Sequence, residues 1–241
     1  MPNSKTPYAL HWSSGKDAAM ALQTLLVQGF PPPICLLTTY QQSTQRVSMH
    51  GTRLDLVAQQ AQRLGVPLRA VELPDLPDNQ AYQNQMDVHY HALAQEGIKS
   101  VVFGDIYLEE LKAFRESQLK PHGLTAVFPL WQQNTASLAQ QIGPGGIRAK
   151  INGIMRNRLP EICLGLDLED ALPHFPADAD PCGENGEFHS FVYDMPAFSS
   201  PIAMDLGQKV EREYPAPNAH LDPVRMQFID ILPISASRQN P

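Results

Sequence analysis

The feature that most constrains the fold is the alternation of short apolar runs with amphipathic stretches over residues 1–142. The apolar runs have the length of buried strands, and the stretches between them carry apolar residues at helical spacing. The predicted strands are Tyr8–Trp12, Ile34–Thr39, Leu68–Leu73, Val101–Phe103 and Leu124–Phe128. The predicted helices are Asp17–Gly29, Thr52–Leu64, Ala81–Glu96 and Leu108–Lys120. Because strands that alternate with helices join into right-handed βαβ units, the sequence predicts an α/β fold with a parallel sheet.

A Gly-Pro-Gly-Gly segment at 143–146 is a strong breaker, and the character of the chain changes after it. Prolines become frequent, and the one helix that the pattern indicates is short. The predicted strands are Ile147–Met155, Phe188–Asp194 and Phe228–Leu232, with a short helix around Glu169–Leu172. We therefore predict two domains, 1–142 and 143–241, of which the second is smaller and mixes α and β structure.

Charge and cysteine content restrict the class of protein. The 241 residues carry a formal net charge of −7, which argues against nucleic-acid binding, since that relies on Lys and Arg to neutralise phosphates. Three scattered cysteines, Cys35, Cys163 and Cys182, do not make a disulfide framework. Met1–Pro7 lacks the apolar core of a signal peptide, and no apolar run approaches the roughly 18 residues of a membrane span. We expect a cytoplasmic protein with neither nucleic acid nor membrane as a partner.

Ser13–Asp17 lies directly between the first predicted strand and the first predicted helix. At such a junction the loop N–H groups and the positive end of the helix dipole converge on one point, where an anion can bind. The small residues let the backbone approach a phosphate, the hydroxyls of Ser13 and Ser14 can donate hydrogen bonds, and Lys16 adds a charge. Asp17 can cap the helix or hold a Mg²⁺ that bridges phosphates.

This loop has two other interpretations. A Walker A loop would need Gly where Leu10 stands and Ser or Thr where Asp17 stands, so that motif is excluded. The loop could also be a plain turn with a capping Asp. Its place after the first strand favours a ligand site, because ligands bind at the switch point of doubly wound sheets.

The loop resembles the Ser-Gly-Gly-x-Asp-Ser signature of PP-loop ATP pyrophosphatases, with Ser14 in place of a Gly and Ala18 in place of the final Ser. Further segments resemble one branch of that superfamily, the diphthine–ammonia ligase family and its bacterial relatives. They are Met49–Arg53, Phe103–Ile106, Pro129–Trp131 and Asp180–His189. The resemblance implies a Rossmann-like nucleotide domain of the adenine nucleotide alpha hydrolase type, followed by a smaller α+β substrate domain.

The resemblance also implies an activity. The chain would use ATP and Mg²⁺ to adenylate a carboxylate, release pyrophosphate, and form an amide with ammonia and AMP as the second product. The acceptor would be a small molecule or a protein-borne group such as diphthine, and a homo-oligomer is compatible with the sequence.

The residues expected on the nucleotide side are Ser13, Ser14, Gly15, Lys16, Asp17, His50, Gly104 and Asp105. Lys16 and Asp17 are expected to be catalytic, with Asp17 as the Mg²⁺ ligand. Gly104 and Asp105 follow a predicted strand at the same sheet edge as Ser13–Asp17, which we call the phosphate loop. An Asp that merely caps a helix and a His50 that lies on the surface are the competing interpretations.

The residues expected on the acceptor side are Gly183, Glu184, Gly186, Glu187 and Arg115. Two carboxylates near one point can hold ammonium or take a proton from it, which makes Glu184 and Glu187 the expected catalytic pair. An acidic surface loop is the alternative, and for Arg115 a solvated ion pair with neighbouring Glu116 is the simpler interpretation.

Two other functions remain open on the sequence alone. One is a nucleotide-binding sensor without turnover, an alternative that rests on the departures from the signature at Ser14 and Ala18. The other is a PP-loop sulfur transferase, which would call for a catalytic cysteine pair and a basic face; scattered cysteines and a negative net charge argue against it.

Overall fold

The computed structural model describes residues 6–75, 78–214 and 223–234. The strands are β1 (Tyr8–His11), β2 (Cys35–Gln41), β3 (Arg46–Val47), β4 (Leu68–Leu73), β5 (Ser100–Val102), β6 (Thr125–Val127), β7 (Arg148–Met155), β8 (Phe188–Asp194), β9 (Met204–Tyr214) and β10 (Val224–Pro233). The α-helices are α1 (Lys16–Val27), α2 (Leu54–Leu64), α3 (Asn79–Gln95), α4 (Glu109–Leu119), α5 (Thr135–Ile142) and α6 (Leu168–Ala171). Short 3-10 helices follow at Lys120–His122, Glu161–Cys163 and Leu172–His174.

The first sheet is parallel except for one short strand. Its parallel strands run in the order β4-β2-β1-β5-β6, and β3 pairs antiparallel with the end of β2. The first strand of the chain therefore lies in the middle, and the carboxyl ends of its two neighbours open on the same edge. The predicted α/β class with a Rossmann-like parallel sheet is confirmed.

The second sheet is antiparallel, in the order β8-β7-β10-β9. Phe188–Asp194 was predicted with the bounds that the structure has, whereas the last strand is longer than predicted. No sequence pattern indicated β9, because this edge strand is exposed along most of its length and lacks a buried apolar alternation. Helix α5 was also missed, although Asn134 caps it and Leu138 and Ile142 lie on its buried face.

Helix α1 packs between the two sheets. One apolar cluster joins Leu22 and Leu25 of α1 to Ile151 and Phe191 of the second sheet. A second cluster covers the other face of the parallel sheet and includes Tyr90 of α3. The predicted boundary at 142/143 falls where α5 ends, and the core is continuous across it. The division into two domains stays a prediction.

Within the described ranges, no helix has both the length and the apolar character needed to cross a bilayer.

Candidate active site

A cavity of about 650 Å³ opens at the carboxyl ends of the central parallel strands. The predicted site residues that line it are Ser13, Asp17, His50, Gly104, Asp105, Arg115 and Glu184. The predicted site residues outside its lining are Ser14, Gly15, Lys16, Gly183, Gly186 and Glu187. The structure therefore brings residues from both parts of the chain to one cavity, but only some of the predicted site residues line it.

The loop after β1 turns sharply at Ser14, which has a left-handed backbone with φ of 73°. Its hydroxyl donates to Thr52 Oγ1 over 2.8 Å, so it points away from the cavity, whereas Ser13 lines it. Gly15 is the N-cap of α1, and a Cβ there would lie 3.1 Å from the carbonyl oxygen of Ser190. Close contact with β8 thus favours glycine at this position.

The amino end of α1 borders the cavity. The helix's first backbone bond runs from the Ala19 N–H to the Gly15 carbonyl over 3.3 Å. The Lys16 N–H donates to Ser190 Oγ over 3.1 Å. The N–H groups of Asp17 and Ala18 then have no partner inside the helix, and both residues line the cavity. Backbone donors without an intrahelical partner, together with the helix dipole, make this end of the cavity suited to an anion.

Lys16 and Asp17 form a tight pair at the start of α1. The Lys16 Nζ donates to both carboxylate oxygens of Asp17 over 2.9 and 2.8 Å, and it lies 4.7 Å from the centre of the Phe188 ring. Lys16 is only 2% exposed. Burial acts to lower the pKa of Lys16, but the charge and hydrogen bond of Asp17, together with the charges of Cys182 and Glu184, outweigh burial, and the pKa is raised. The lysine is therefore charged at neutral pH, and its partner faces the cavity.

Gly104 lies against the backbone of the phosphate loop. A Cβ at this position would be 2.7 Å from the carbonyl carbon of Asp17. Asp105 follows it, and burial, with a further contribution from the nearby charge of Asp17, raises the pKa of this carboxyl despite Arg115. Its side chain is oriented into the cavity rather than capping α4, whose N-cap is Leu108.

Arg115 is not a solvated residue paired with Glu116. Its side chain is 14% exposed, donates to Tyr82 Oη over 3.1 Å and lies 4.9 Å from the centre of the Phe103 ring. Its Nε is 3.7 Å from Asp105 Oδ2, and neither atom has a hydrogen-bond partner among the described residues. Because the ion pair with Asp105 is loose, Arg115 can also bind an anionic group of a ligand.

Two imidazoles in the cavity wall are kept neutral. His50 packs on His189 with ring centres 4.5 Å apart, and burial, then the charge of Lys16, lowers its pKa to about 4. His11 stacks on Phe103, and burial followed by Arg115 holds its pKa well below the ordinary value. The sequence did not indicate His11, because it stands at the end of an apolar strand with no motif around it.

Glu184 connects the Asp180–His189 loop to the cavity. Its Oε1 accepts from the N–H groups of Ile106 and Tyr107 over 2.8 and 3.3 Å. Burial, as the largest cause, and the charge of Asp17 raise the pKa of Glu184 to about 7. A carboxyl that titrates near neutral pH in a cavity wall is suited to exchange protons.

Glu187 has a different environment from Glu184. It is 0% exposed and accepts from the N–H of Asp180 over 3.1 Å, the N–H of Asn185 over 3.0 Å and the Asn185 side-chain amide over 3.1 Å. Gly183 and Gly186, with φ of 68° and 83°, shape the same turn. Glu187, Gly183 and Gly186 therefore stabilise the conformation of the Asp180–His189 loop itself.

We predict that Glu187→Gln lowers the free energy of unfolding by about 1–3 kcal/mol, because an amide cannot accept all the donors that converge on this buried carboxylate. Urea denaturation measures the change. The control is Glu211→Gln on exposed β9, for which a change within about 0.5 kcal/mol is expected. Equal stability of Glu187→Gln and the unmodified protein would contradict this structural role.

No cluster of three or more His, Cys, Asp or Glu side chains suited to a metal ion exists within the described residues. All three cysteines are buried. The Cys182 thiol donates to the Thr135 carbonyl over 3.3 Å, and burial raises its pKa to about 12. Its burial and its bond to the Thr135 carbonyl give it a structural role.

Comparison with known families finds a match over the first half of the chain. A sequence model described as the diphthamide synthase N-terminal domain matches residues 6–126, which is half of the 241 residues. The matched span runs from before β1 into β6 and includes the phosphate loop, Gly104, Asp105 and Arg115. A search of curated proteins finds no match.

Proposed function

The chain belongs to the diphthamide synthase family of PP-loop, ATP-using enzymes, and from this premise we propose that it is an adenylating ligase. It splits ATP between the α- and β-phosphates and joins ammonia to a carboxylate acceptor. The observation that carries the proposal is the shared cavity, which is lined both by Asp17 and Ala18 in the first turn of α1 and by Glu184. An anion site and a proton-exchanging carboxyl are the two parts that this chemistry needs.

The phosphates of ATP fit the amino end of α1. The N–H groups of Asp17 and Ala18 and the hydroxyl of Ser13 supply donors, and the helix dipole favours negative charge there. Asp17 offers carboxylate oxygens, which Mg²⁺ prefers as ligands. Three carboxyl groups, those of Asp17, Asp105 and Glu184, line the cavity together with the cationic side chain of Arg115. A divalent cation would therefore also offset negative charge in the cavity wall. When bound, Mg²⁺ neutralises charge on the phosphates.

The reaction has two steps. In the first, an acceptor carboxylate oxygen forms a bond to the α-phosphorus, and the bond to pyrophosphate breaks. In the second, ammonia nitrogen bonds to the acyl carbon, AMP leaves with the former carboxylate oxygen, and one proton is released. Arg115 is the cation suited to orient the carboxylate, and ionised Glu184 holds ammonium and takes its proton. The buried neutral imidazoles help keep water from the acyl-adenylate.

We predict a pH profile that is set by Glu184. With total ammonium constant and acceptor saturating, the rate should rise from pH 5.5 and level off above about pH 7, where the carboxyl is ionised. Free ammonia as the only nucleophile source would instead make the rate rise about tenfold per pH unit through pH 8, which would contradict the role of Glu184. The pKa of Glu184 is raised in the folded state, so its protonated form stabilises the fold. This contribution to the free energy of unfolding is lost as the pH rises from the ordinary glutamate pKa to about 7.

Product analysis tests the proposed function. The protein is incubated with Mg²⁺, ATP, ammonium and a panel of carboxylic acids, and nucleotide products are separated. We expect AMP and pyrophosphate, formed only when an acceptor is present. ADP and phosphate would contradict the assignment, and tight ATP binding with no turnover for any acid would favour a nucleotide sensor.

Sulfur transfer is less well supported than amide formation. It requires a reactive thiolate, whereas Cys35, Cys163 and Cys182 are all buried and the pKa of each thiol is raised.

A further inference from the structure

Ser14 adopts a backbone conformation that glycine tolerates far better than serine. Its φ of 73° lies in the left-handed region, and the residue is fully buried. A side chain there has a conformational cost, so contacts from outside the loop must stabilise it. Two side chains of the helix α2 region supply such contacts.

Thr52, two residues before α2, accepts a hydrogen bond from the Ser14 hydroxyl over 2.8 Å. Thr52 is also buried, and its Oγ1 accepts a hydrogen bond from the side-chain amide of Asn152 over 3.3 Å. The same Asn152 amide donates to the His50 carbonyl over 2.9 Å. The Ser14 side chain is therefore held by a chain of bonds that reaches β7 of the second sheet.

Gln60, in the middle of α2, holds the Ser14 backbone. Its Nε2 donates to the carbonyls of Ser14 and Val192 over 3.0 and 2.6 Å, and its Oε1 accepts from the indole N–H of Trp12 over 2.7 Å. The Val192 N–H donates to the same Ser14 carbonyl over 3.0 Å. The fully buried amide thus joins Trp12 and Ser14 to β8.

We infer that Thr52 and Gln60 are positioning residues of the phosphate loop: they hold Ser14 in the left-handed conformation and so set nucleotide affinity without touching the nucleotide. Neither residue lines the cavity. The inference rests on the proposed function, since it assumes that the loop binds ATP phosphates. Its physical basis is that apparent affinity falls with the fraction of loops in the competent conformation.

The test is a double-mutant cycle between residues 14 and 52, with the dissociation constant of MgATP as the readout. Thr52→Val leaves the buried Ser14 hydroxyl without an acceptor and should weaken MgATP binding about tenfold. Ser14→Gly should bind within about threefold of the unmodified protein, since glycine needs no side-chain partner at this φ. The combined variant should recover to within about threefold, and Thr52→Ser, which keeps the hydroxyl, should bind normally.

Ser100→Ala is the matched control, because Ser100 is a buried hydroxyl on β5 that does not line the cavity. It should leave MgATP affinity unchanged. Unaltered affinity in Thr52→Val, or a combined variant as weak as Thr52→Val alone, would overturn the inference. A purely structural role would lower the melting temperature of Thr52→Val without recovery of affinity on adding Ser14→Gly.

Hydrogen exchange separates failure of the inference from failure of the proposed function. If the unmodified protein binds no MgATP, the proposed function fails, and the Lys16 amide still reports on the loop because its N–H is bonded to Ser190 Oγ. Thr52→Val should speed its exchange about tenfold relative to β1 amides, and Ser14→Gly should reverse this. An unchanged exchange rate would overturn the positioning role.

Discussion

Glu184→Gln is expected to lower amide formation by about 10²–10³-fold while leaving the protein folded. The amide can still accept from the N–H groups of Ile106 and Tyr107, so the loop keeps its anchor. It cannot take a proton from ammonium, because it has no carboxylate that titrates near pH 7. Both the rate and its pH dependence through Glu184 should therefore be lost.

The comparison of Glu184→Gln with Glu187→Gln makes this prediction specific. Rates are measured with saturating acceptor and ammonium, and stability is measured on the same samples. Glu184→Gln should lose rate and keep stability, whereas Glu187→Gln should lose stability. If Glu184→Gln retains more than a tenth of the rate, Glu184 does not act as the base.

Asp17→Asn is expected to reduce kcat/KM for MgATP by about 10²-fold or more. The substitution removes a carboxylate that faces the cavity, and it also leaves the buried ammonium of Lys16 without its charged partner. Weaker binding of Mg²⁺ should accompany the loss, because Asp17 is the expected metal ligand. The measurement is a Mg²⁺ titration of the rate at fixed ATP.

Asp55→Asn is a matched control for that experiment. Asp55 is the second residue of α2, as Asp17 is of α1, but it is exposed and does not line the cavity. Its replacement removes the same charge from the first turn of a helix. A normal rate in Asp55→Asn beside a large loss in Asp17→Asn would support a specific role, and a normal Mg²⁺ response in Asp17→Asn would contradict it.

The parallel sheet could be predicted because local signals agreed along the chain. Apolar runs, helical spacing and the turn at Ser13–Asp17 all indicated βαβ units, and the bounds of β4 were predicted correctly, as were those of β8 in the antiparallel sheet. Strand β9 could not be found in this way, since an exposed edge strand needs no apolar alternation. Its position depends on pairing with β10, which the local sequence does not encode.

The details of the site depend on contacts between distant segments. Glu184 and Glu187 belong to one motif, but two left-handed glycines turn the chain so that one carboxylate faces the cavity and the other is enclosed. Likewise, the hydroxyl of Ser14 is turned from the cavity by Thr52, which is 38 residues away. Spacing in the sequence could indicate which residues belong to the site, but not where each side chain points.

The most direct test of the adenylation step is transfer of oxygen from the acceptor to AMP. An acid that supports turnover is prepared with ¹⁸O in both carboxylate positions and converted with ATP, Mg²⁺ and ammonium. We predict one ¹⁸O in the phosphate of AMP and one in the amide, because the carboxylate oxygen bonds to the α-phosphorus and leaves with AMP. Unlabelled AMP, or ¹⁸O in inorganic phosphate alongside ADP, would contradict the account.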